Sequence, residues 1–252
     1  MDRVVLCMKW GTLYGPDYVN VLYNAVRAHL PGPFRFVCLT DDATGIDPAV
    51  ECFPVPDFGL RPDLWMIGGW PKIGVFQRDL YGLRGRALFI DLDMMILSDL
   101  TPFFEHPAPF IATDMGANWK PRAGKGPEEP GTCLFAFSLG AEAQIFERFN
   151  EDRNGHAHRF GLEQNCVAAF AHSVTCWPAD WVISFKRHLR PPALLGTVLP
   201  VRRPPASAKV LAFHGRPRPL DLIRKGWWGE LPNIGRGPVG WMRDYWLRYG
   251  GN

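Results

Sequence analysis

Two aspartates interrupt an apolar stretch near the middle of the chain, and they are the residues best suited to chemistry. Residues 86–97 read RALFIDLDMMIL, so Asp91 and Asp93 stand where a buried strand would otherwise continue. Carboxylates are rarely buried without a partner. In an extended segment, residues at i and i+2 point to the same face. Two carboxylates converging at a strand end are suited to hold a hard divalent cation.

An ordinary strand end explains the same pattern equally well. Aspartate is common at turns, and a motif as short as Asp-x-Asp matches many sequences by chance. The rest of the chain therefore has to decide between a metal site and a structural turn.

The elements before this motif predict an α/β fold. Residues 3–8 predict a buried strand, residues 16–30 a helix with Pro16 in its first turn, and residues 34–39 a second strand. A β-loop-α-β order is typical of a parallel sheet, in which ligands bind at the carboxyl ends of the strands. Residues 10–14, 41–42 and 91–93 all fall at such ends.

The remaining pattern predicts a mixture of elements and loops. We expect a loop over 57–71, a helix over 72–83, a polar surface loop over 119–131, a strand over 132–137, helices over 141–150 and 162–171, and an irregular segment over 190–206. The apolar residues 211–213 then lead into a segment that begins with His214.

Composition narrows the class of protein. The chain has 252 residues, enough for one large domain or two small ones. It shows neither a signal-peptide pattern nor an apolar run of about 20 residues that could span a bilayer. Its six cysteines form no C-x-x-C pair, which indicates small buried hydrophobes in a reducing compartment. We therefore expect a cytoplasmic protein without a disulfide framework or a zinc site.

Charge and tryptophan are unevenly distributed. The net charge is +3, but residues 186–225 hold ten Lys or Arg against one acid, Asp221. Such a basic region suits an anionic ligand, and because no nucleic-acid motif accompanies it, we expect no nucleic-acid partner.

Four of the ten tryptophans crowd the C-terminus, namely Trp227, Trp228, Trp241 and Trp246. Tryptophan serves carbohydrate sites, interfaces and cores alike, and peripheral contact of this tail with a membrane is one further interpretation.

Two blocks of sequence carry a resemblance to a known family. The first runs from Pro71-Lys72-Ile73-Gly74 through the two aspartates to Leu100-Thr101-Pro102-Phe103-Phe104, and the second is His214-Gly215-Arg216-Pro217-Arg218-Pro219. The chain resembles nucleotide-sugar glycosyltransferases of the GT-A fold, in the retaining group that contains glycogenin and bacterial lipopolysaccharide galactosyltransferases. The similarity covers roughly residues 4–228. In that group the second block reads His-x-x-Gly-x-x-Lys-Pro-Trp, and here it is shorter, with Arg in place of Lys.

The resemblance implies one GT-A-like α/β domain over residues 1–252. Its central sheet would be Rossmann-like, mostly parallel and flanked by helices, with Asp-x-Asp at a strand end. Residues 1–105 would form a nucleotide-binding half, 106–230 an acceptor-side half with the metal-ligand segment, and 231–252 a Trp-rich C-terminal tail.

The resemblance also assigns a metal site and a phosphate site. Asp91, Asp93 and His214 would hold Mn²⁺ or Mg²⁺, with Asp91 also near the donor ribose. A nitrogen ligand beside two carboxylates favours Mn²⁺ over Mg²⁺. In the same way, Lys72 and Arg218 would neutralise charge on the departing diphosphate. These would be the groups that stabilise the leaving nucleotide.

Other matched positions would bind the rest of the substrates. Gly215 would let the backbone approach phosphate, and Trp10, Gly11 and Tyr14 lie where the group packs on the nucleotide base. Residues 161–165 (GLEQN) resemble a Gly-Asp-Gln segment that lines the sugar and acceptor side. Glu163 and Gln164 are therefore the catalytic candidates.

The function implied is transfer of a sugar from a nucleotide donor, most simply a UDP-sugar, to a hydroxyl acceptor with retention of configuration. The acceptor could be a glycan, a lipid-linked sugar or a small molecule, and the oligomeric state is open. A non-catalytic sugar-nucleotide binder is an alternative, because the group usually has Asp where Glu163 stands and an Asn-Ser or Asn-Ala pair near Gly131-Thr132.

Other nucleotide and phosphate chemistries fit less well. A haloacid-dehalogenase-type phosphatase also places Asp-x-Asp after an apolar strand, but Met95 stands where it has Thr or Val, and no downstream acidic pair is found. Lys9-Trp10-Gly11-Thr12 does not supply the Gly-rich, Arg-containing loop of a nucleotidyltransferase. The G-x-G-x-x-G fingerprint of dinucleotide binding is missing too.

Overall fold

The structure, a computed structural model, describes residues 2–56, 59–65, 69–119 and 126–251. The strands in this part of the chain are β1 (Arg3–Lys9), β2 (Arg35–Thr40), β3 (Glu51–Phe53), β4 (Arg86–Ile90), β5 (Met94–Ile96), β6 (Phe110–Asp114), β7 (Pro130–Ser138), β8 (Thr175–Cys176), β9 (Val182–Ser184), β10 (Val210–Ala212), β11 (Gly226–Trp228) and β12 (Gly235–Gly237).

The α-helices in the described part of the chain are short, most of them with nine residues or fewer. They are α1 (Pro16–His29), α2 (Pro62–Trp65), α3 (Thr101–Glu105), α4 (Ala143–Glu151), α5 (Arg153–Phe160), α6 (Glu163–Phe170), α7 (Pro219–Ile223) and α8 (Gly240–Arg248). Three 3₁₀ segments (Trp70–Phe76, Ala117–Trp119 and Leu195–Thr197) and one π turn (Phe185–Leu189) complete the set. No described helix has the length and hydropathy needed to cross a membrane.

A mixed seven-stranded sheet organises these elements, in the order β3-β2-β1-β4-β7-β6-β8. Strands β3, β2, β1 and β4 are parallel neighbours, β7 runs antiparallel between β4 and β6, and β8 is parallel to β6. Strand β1 lies between β2 and β4, so successive connections leave it in opposite directions. That reversal opens a crevice at the carboxyl ends of β1 and β4, where open α/β sheets bind ligands.

Apolar layers cover both faces of the sheet. Helix α1 packs on one face, against alternate residues of β1 such as Val5 and Cys7. The 3₁₀ segment Trp70–Phe76, α4 and α6 pack on the other face, against Val4 and Leu6. The alternation follows from the two-residue period of a strand. The mostly parallel, helix-flanked α/β sheet predicted from the sequence is therefore confirmed.

The strand and helix predictions hold where the apolar pattern is long. The strands over 3–8, 34–39 and 132–137 and the helices over 16–30, 141–150 and 162–171 all appear, each within a few residues of its predicted bounds. The predicted loop over 119–131 lies partly outside the described residues, and so does the predicted loop over 57–71. The division into parts at 105 and 230 stays a prediction, although strands on both sides of residue 105 share the large sheet.

Two local predictions are wrong. The helix expected over 72–83 is replaced by the 3₁₀ segment Trp70–Phe76 and turns. Gln77 leaves the helical region with a ψ of 142°, and Tyr81 and Gly82 have positive φ values that a right-handed helix does not allow. The second is the extended conformation assumed for Asp91 and Asp93, although the strand before them ends at Ile90, next to the aspartates, as predicted. Asp91 and Asp93 lie in a turn closed by the N–H of Met94, which donates to the carbonyl of Asp91 at 3.2 Å.

The core beneath the site depends on a cluster of aromatic rings around Phe135 of β7. This fully buried ring stacks on Phe89 at a centroid distance of 4.9 Å and on Phe76 at 5.6 Å.

We predict that Phe135→Ala lowers the free energy of unfolding by about 3–5 kcal/mol, because it leaves a cavity that the sheet cannot close. Urea denaturation measures the loss. Leu247→Ala, at a side chain 53% exposed, is the control and should change stability little.

Candidate active site

A cleft of about 300 Å³ opens at the carboxyl ends of β1 and β4. The sequence predicted a site at the carboxyl ends of strands, and the structure adds that the cleft lies where the strand order reverses. Nine of the predicted site residues line it: Trp10, Tyr14, Lys72, Asp91, Asp93, Glu163, Gln164, His214 and Gly215. These residues come from both ends of the sequence, so only the fold brings them together.

Lys72 is the buried cation at the floor of the cleft. Its ammonium lies 2.7 Å from Oδ1 of Asp91 and 3.7 Å from Oε1 of Glu163, and it donates to the carbonyl of Thr132 at 3.3 Å. Burial opposes its charge, but Asp91 and Glu163 outweigh burial and raise the pKa of Lys72 above its ordinary value. Lys72 therefore stays charged and holds both carboxylates in place.

The ionised form of Asp93 is unfavourable in the cleft. It is buried, it accepts a hydrogen bond from the Tyr14 hydroxyl at 2.8 Å, and it is two residues from Asp91. Burial first, and the negative charge of Asp91 second, raise the pKa of Asp93 to about 7. A positive ligand in the cleft would relieve this repulsion.

Glu163 is the first residue of α6 and is 5% exposed. It accepts a hydrogen bond from the Thr132 hydroxyl. Burial raises its pKa, although Lys72 and this hydrogen bond oppose the rise. Gly69 lies against the carboxylate so closely that a Cβ there would come within 3.0 Å of it. Glu163 is thus a component of the cleft floor, whereas its neighbour Gln164 is only partly buried and its side-chain amide bonds to no described residue.

His214 follows β10 and faces the cleft from the opposite side. Its Nδ1 lies 3.4 Å from the Ser184 hydroxyl, and its ring lies 5.3 Å from that of Trp119. Burial first, then the cations Lys186 and Arg187, lower its pKa to about 4. The imidazole is therefore neutral at pH 7, which is the form that can accept a hydrogen bond or bind a metal.

The predicted metal ligands are only partly assembled. Within the described ranges, no three His, Cys, Asp or Glu side chains are close enough together to hold a metal ion. The chemistry of the site nevertheless fits a cation, because three carboxylates face one ammonium and the pKa of Asp93 is raised. The residues present therefore suit a divalent cation, with Asp91 and Asp93 on one side of the cleft and neutral His214 on the other.

Two predicted residues lie beside the cleft and do not line it. The N–H of Gly11, whose φ is +61°, donates to Oδ2 of Asp41 at 2.7 Å and so joins the ends of β1 and β2. The guanidinium of Arg218 lies 5.3 Å from the centre of the Tyr14 ring. Its buried Nε has no hydrogen-bond partner in the described part of the chain. An incoming anion could supply that partner.

The sequence missed Thr132 and Cys133 as parts of the site. Both line the cleft from β7, where Thr132 bonds Glu163 and the carbonyl of Cys133 accepts the N–H of Asp91 at 2.9 Å. The available signal was a hydroxyl at the start of an apolar strand, which is too common to indicate a site. Met8, Leu13, Met115, Leu162 and Phe213 add an apolar wall that no motif marked.

No protein-family model matches the chain. No curated protein matches it in sequence either. Among solved structures, the galactosyltransferase LgtC in complex with donor and acceptor sugar analogues superposes with a TM-score of 0.58 at 12% identity, over 99% of this chain and 97% of LgtC.

Two further structures give the same result. The glycosyltransferase GlyE of Streptococcus pneumoniae matches with a TM-score of 0.57 at 11% identity, over 98% of this chain and 60% of GlyE. The bifunctional glycosyltransferase WbbM matches with a TM-score of 0.59 at 11% identity, over 98% of this chain and 49% of WbbM. The chain thus has the GT-A-like fold of these glycosyltransferases, as its sequence resemblance implied.

The raised pKa of Asp93 predicts a pH-dependent stability. Between pH 3.8 and about 7 the folded protein keeps a proton that the unfolded chain releases, so the contribution of Asp93 to stability falls as pH rises through this window. We predict that Asp93→Asn raises the melting temperature at pH 8 by more than twice as much as at pH 5, because only about a third of the loss occurs between pH 3.8 and pH 5. The gain at pH 8 corresponds to at most about 4 kcal/mol.

The measurement is thermal unfolding in chelator at both pH values. Asp180→Asn, which removes an exposed carboxylate, is the control and should not reproduce the pattern. An Asp93→Asn variant that is equally or less stable than the parent protein at pH 8 would contradict the prediction.

Proposed function

We propose that the protein transfers a sugar from a nucleotide-sugar donor to a hydroxyl acceptor in this cleft. The observation that carries the proposal is the position of Asp91 and Asp93, which face one cleft at the strand-order reversal of a glycosyltransferase fold. LgtC, which shares the fold along nearly its whole length, was crystallised with donor and acceptor sugar analogues. We propose UDP as the nucleotide on the sequence resemblance.

The proposed diphosphate site is the His214 side of the cleft. Gly215, with a φ of +68°, leaves room for a phosphate near the backbone, since a Cβ there would meet only Lys186 Nζ, at 3.5 Å. The guanidinium of Arg218, next to the Tyr14 ring that lines the cleft, would donate to the same anion. Asp91, Asp93 and neutral His214 would hold Mn²⁺ or Mg²⁺, which when bound supplies a Lewis acid for the leaving diphosphate.

Lys72 has a different role from the one that the sequence resemblance implied. Its charge is already paired with Asp91 and Glu163, and its side chain is only 11% exposed. We therefore assign Lys72 as a positioning residue, which fixes the Asp91 carboxylate and opposes the rise in the pKa of Asp91 that burial causes. Neutralising the departing diphosphate falls to Arg218.

We propose retention of anomeric configuration by attack from the face that the diphosphate leaves. Each carboxylate lining the cleft already has a partner: Asp91 has Lys72, Asp93 has Tyr14, and Glu163 has Thr132. None is therefore a free nucleophile. The acceptor oxygen bonds to the anomeric carbon as the bond from that carbon to the phosphate oxygen breaks, and the hydroxyl proton passes to that phosphate oxygen. Gln164, with an unengaged amide, would orient the sugar or the acceptor.

Removing the charge of Asp93 should impair metal-dependent UDP binding and sugar transfer while the protein still folds. We predict that Asp93→Asn abolishes the Mn²⁺-dependent rise in melting temperature caused by UDP, and lowers sugar transfer by roughly a thousandfold, since a metal site supplies several kcal/mol. Thermal shift and product analysis with UDP-sugars measure the two effects, and Asp180→Asn is again the control.

The outcomes of this experiment are distinct. A shift with UDP and Mn²⁺ but no turnover with any sugar would support the non-catalytic binder. A shift with another nucleotide only would replace UDP and keep the reaction class. No shift with any nucleotide in the parent protein would overturn the proposal.

Gln164 tests the acceptor side separately. We predict that Gln164→Ala lowers kcat by about tenfold, because one neutral hydrogen bond to the substrate is worth about 1 kcal/mol or somewhat more. The UDP-induced shift should remain unchanged. Asn165→Ala is the matched control, since Asn165 is exposed and its side chain donates to the carbonyl of Phe160. Equal effects of the two substitutions would contradict this role for Gln164.

A further inference from the structure

A second cavity, of about 570 Å³, lies beyond the His214 side of the cleft. Five cations line it and define what we call the basic cavity: Lys186, Arg190, Arg216, Arg224 and Lys225. The acids among its lining residues are Asp221 and Glu230. The basic cavity is therefore strongly positive although the whole chain carries a net charge of only +3.

The charge of the basic cavity is not balanced from within. In the described part of the chain, none of its five cations forms an ion pair. The carboxylate of Asp221 instead accepts the backbone N–H of Arg218 at 2.8 Å. Burial first, and the charge of Arg190 second, lower the pKa of Lys186. Crowded cations with no acidic partner are suited to receive an anion of high charge density.

An apolar patch adjoins the basic cavity. It consists of exposed side chains from two segments that contact each other: Leu194, Leu195, Val198, Leu199, Trp227 and Leu231. The N–H of Leu194 donates to the carbonyl of Pro232 at 2.7 Å, which joins the two segments. Trp227 and Leu231 line the basic cavity as well, so charge and apolar surface are continuous.

The exposure of this patch is unusual for an uncomplexed surface. Val198 is 73% exposed, Leu231 75% and Trp227 64%. Single exposed apolar residues need no explanation, but a contiguous group marks a binding surface. A ligand that matches both features has a phosphate at one end and hydrocarbon at the other.

We propose that this surface binds anionic phospholipid at a membrane surface, with the lipid phosphate in the basic cavity and acyl chains against the apolar patch. Charge complementarity supports the phosphate, since basic clusters attract anionic headgroups. The exposed indole of Trp227 suits the boundary between headgroups and hydrocarbon. The proposal does not depend on the sugar-transfer reaction, and its test uses no sugar nucleotide.

The test is co-sedimentation of the full chain with vesicles. Vesicles of phosphatidylcholine alone are compared with vesicles of equimolar phosphatidylcholine and phosphatidylglycerol. We expect binding to the anionic vesicles and little binding to the neutral ones. Arg224→Gln with Lys225→Gln should weaken vesicle binding at least about tenfold, because each basic residue near the surface contributes about 1 kcal/mol.

Matched controls separate this surface from net charge. Arg243→Gln with Arg248→Gln removes the same charge from exposed positions of α8 that do not line the basic cavity. It should leave vesicle binding nearly intact. Val198→Ser with Leu231→Ser should weaken binding, whereas Leu247→Ser, outside the apolar patch, should not. All these positions are exposed, so the variants should fold.

Several results would overturn the proposal. One is failure of the parent protein to bind the anionic vesicles. Another is equal loss of binding in the two double charge variants, which would indicate non-specific attraction. Calorimetric titration with inorganic phosphate provides the third. Phosphate binding that Arg224→Gln with Lys225→Gln removes, without any binding to vesicles, would mean that a soluble phosphate ligand occupies the basic cavity.

Discussion

The buried pairing of Lys72 with Asp91 and Glu163 is the constraint around which the cleft is built. An isolated charge could not be buried here, because desolvation would cost several kcal/mol. One ammonium with two carboxylates allows strand β4, the 3₁₀ segment Trp70–Phe76 and helix α6 to meet at one point. The arrangement still leaves an excess of negative charge once Asp93 is added. The same interaction therefore stabilises the floor and makes the cleft receptive to a cation.

The sequence predicted the sheet and much of the cleft, because long apolar runs determine which face of an element is buried. The predictions from sequence failed where the backbone conformation of single residues determines the course of the chain. The apolar run 86–97 predicts a strand end at the aspartates, but it does not show that the chain turns there and that Met94 begins a strand of another sheet. The helix that spacing alone favours over 72–83 likewise fails, because the backbone leaves helical geometry at Gln77 and has a positive φ at Tyr81. Nine of the eleven site residues line the cleft, and all of them except Lys72 lie at or just beyond the end of a strand or helix.

The departures from the family pattern fit together in the structure. The resemblance has Asp where Glu163 stands, and an Asn-containing pair near Thr132. Here the hydroxyl of Thr132 bonds the carboxylate of Glu163, so the two changed positions are direct neighbours. Sequence comparison treats them as two unrelated differences, because 31 residues separate them along the chain. Their contact could not be inferred without coordinates.

The cleft cannot form during folding before strand β7 is in place. As the antiparallel strand beside β4, it supplies the carbonyl that accepts the N–H of Asp91 and the hydroxyl that holds Glu163. Closing the loop between β4 and β7 costs chain entropy before any of these contacts forms. A nascent chain that has reached only residue 105 already contains both aspartates and Lys72, yet it lacks the strand and the carboxylate that hold them. The cleft would thus form late in folding, once residues from both sides of residue 105 have come together.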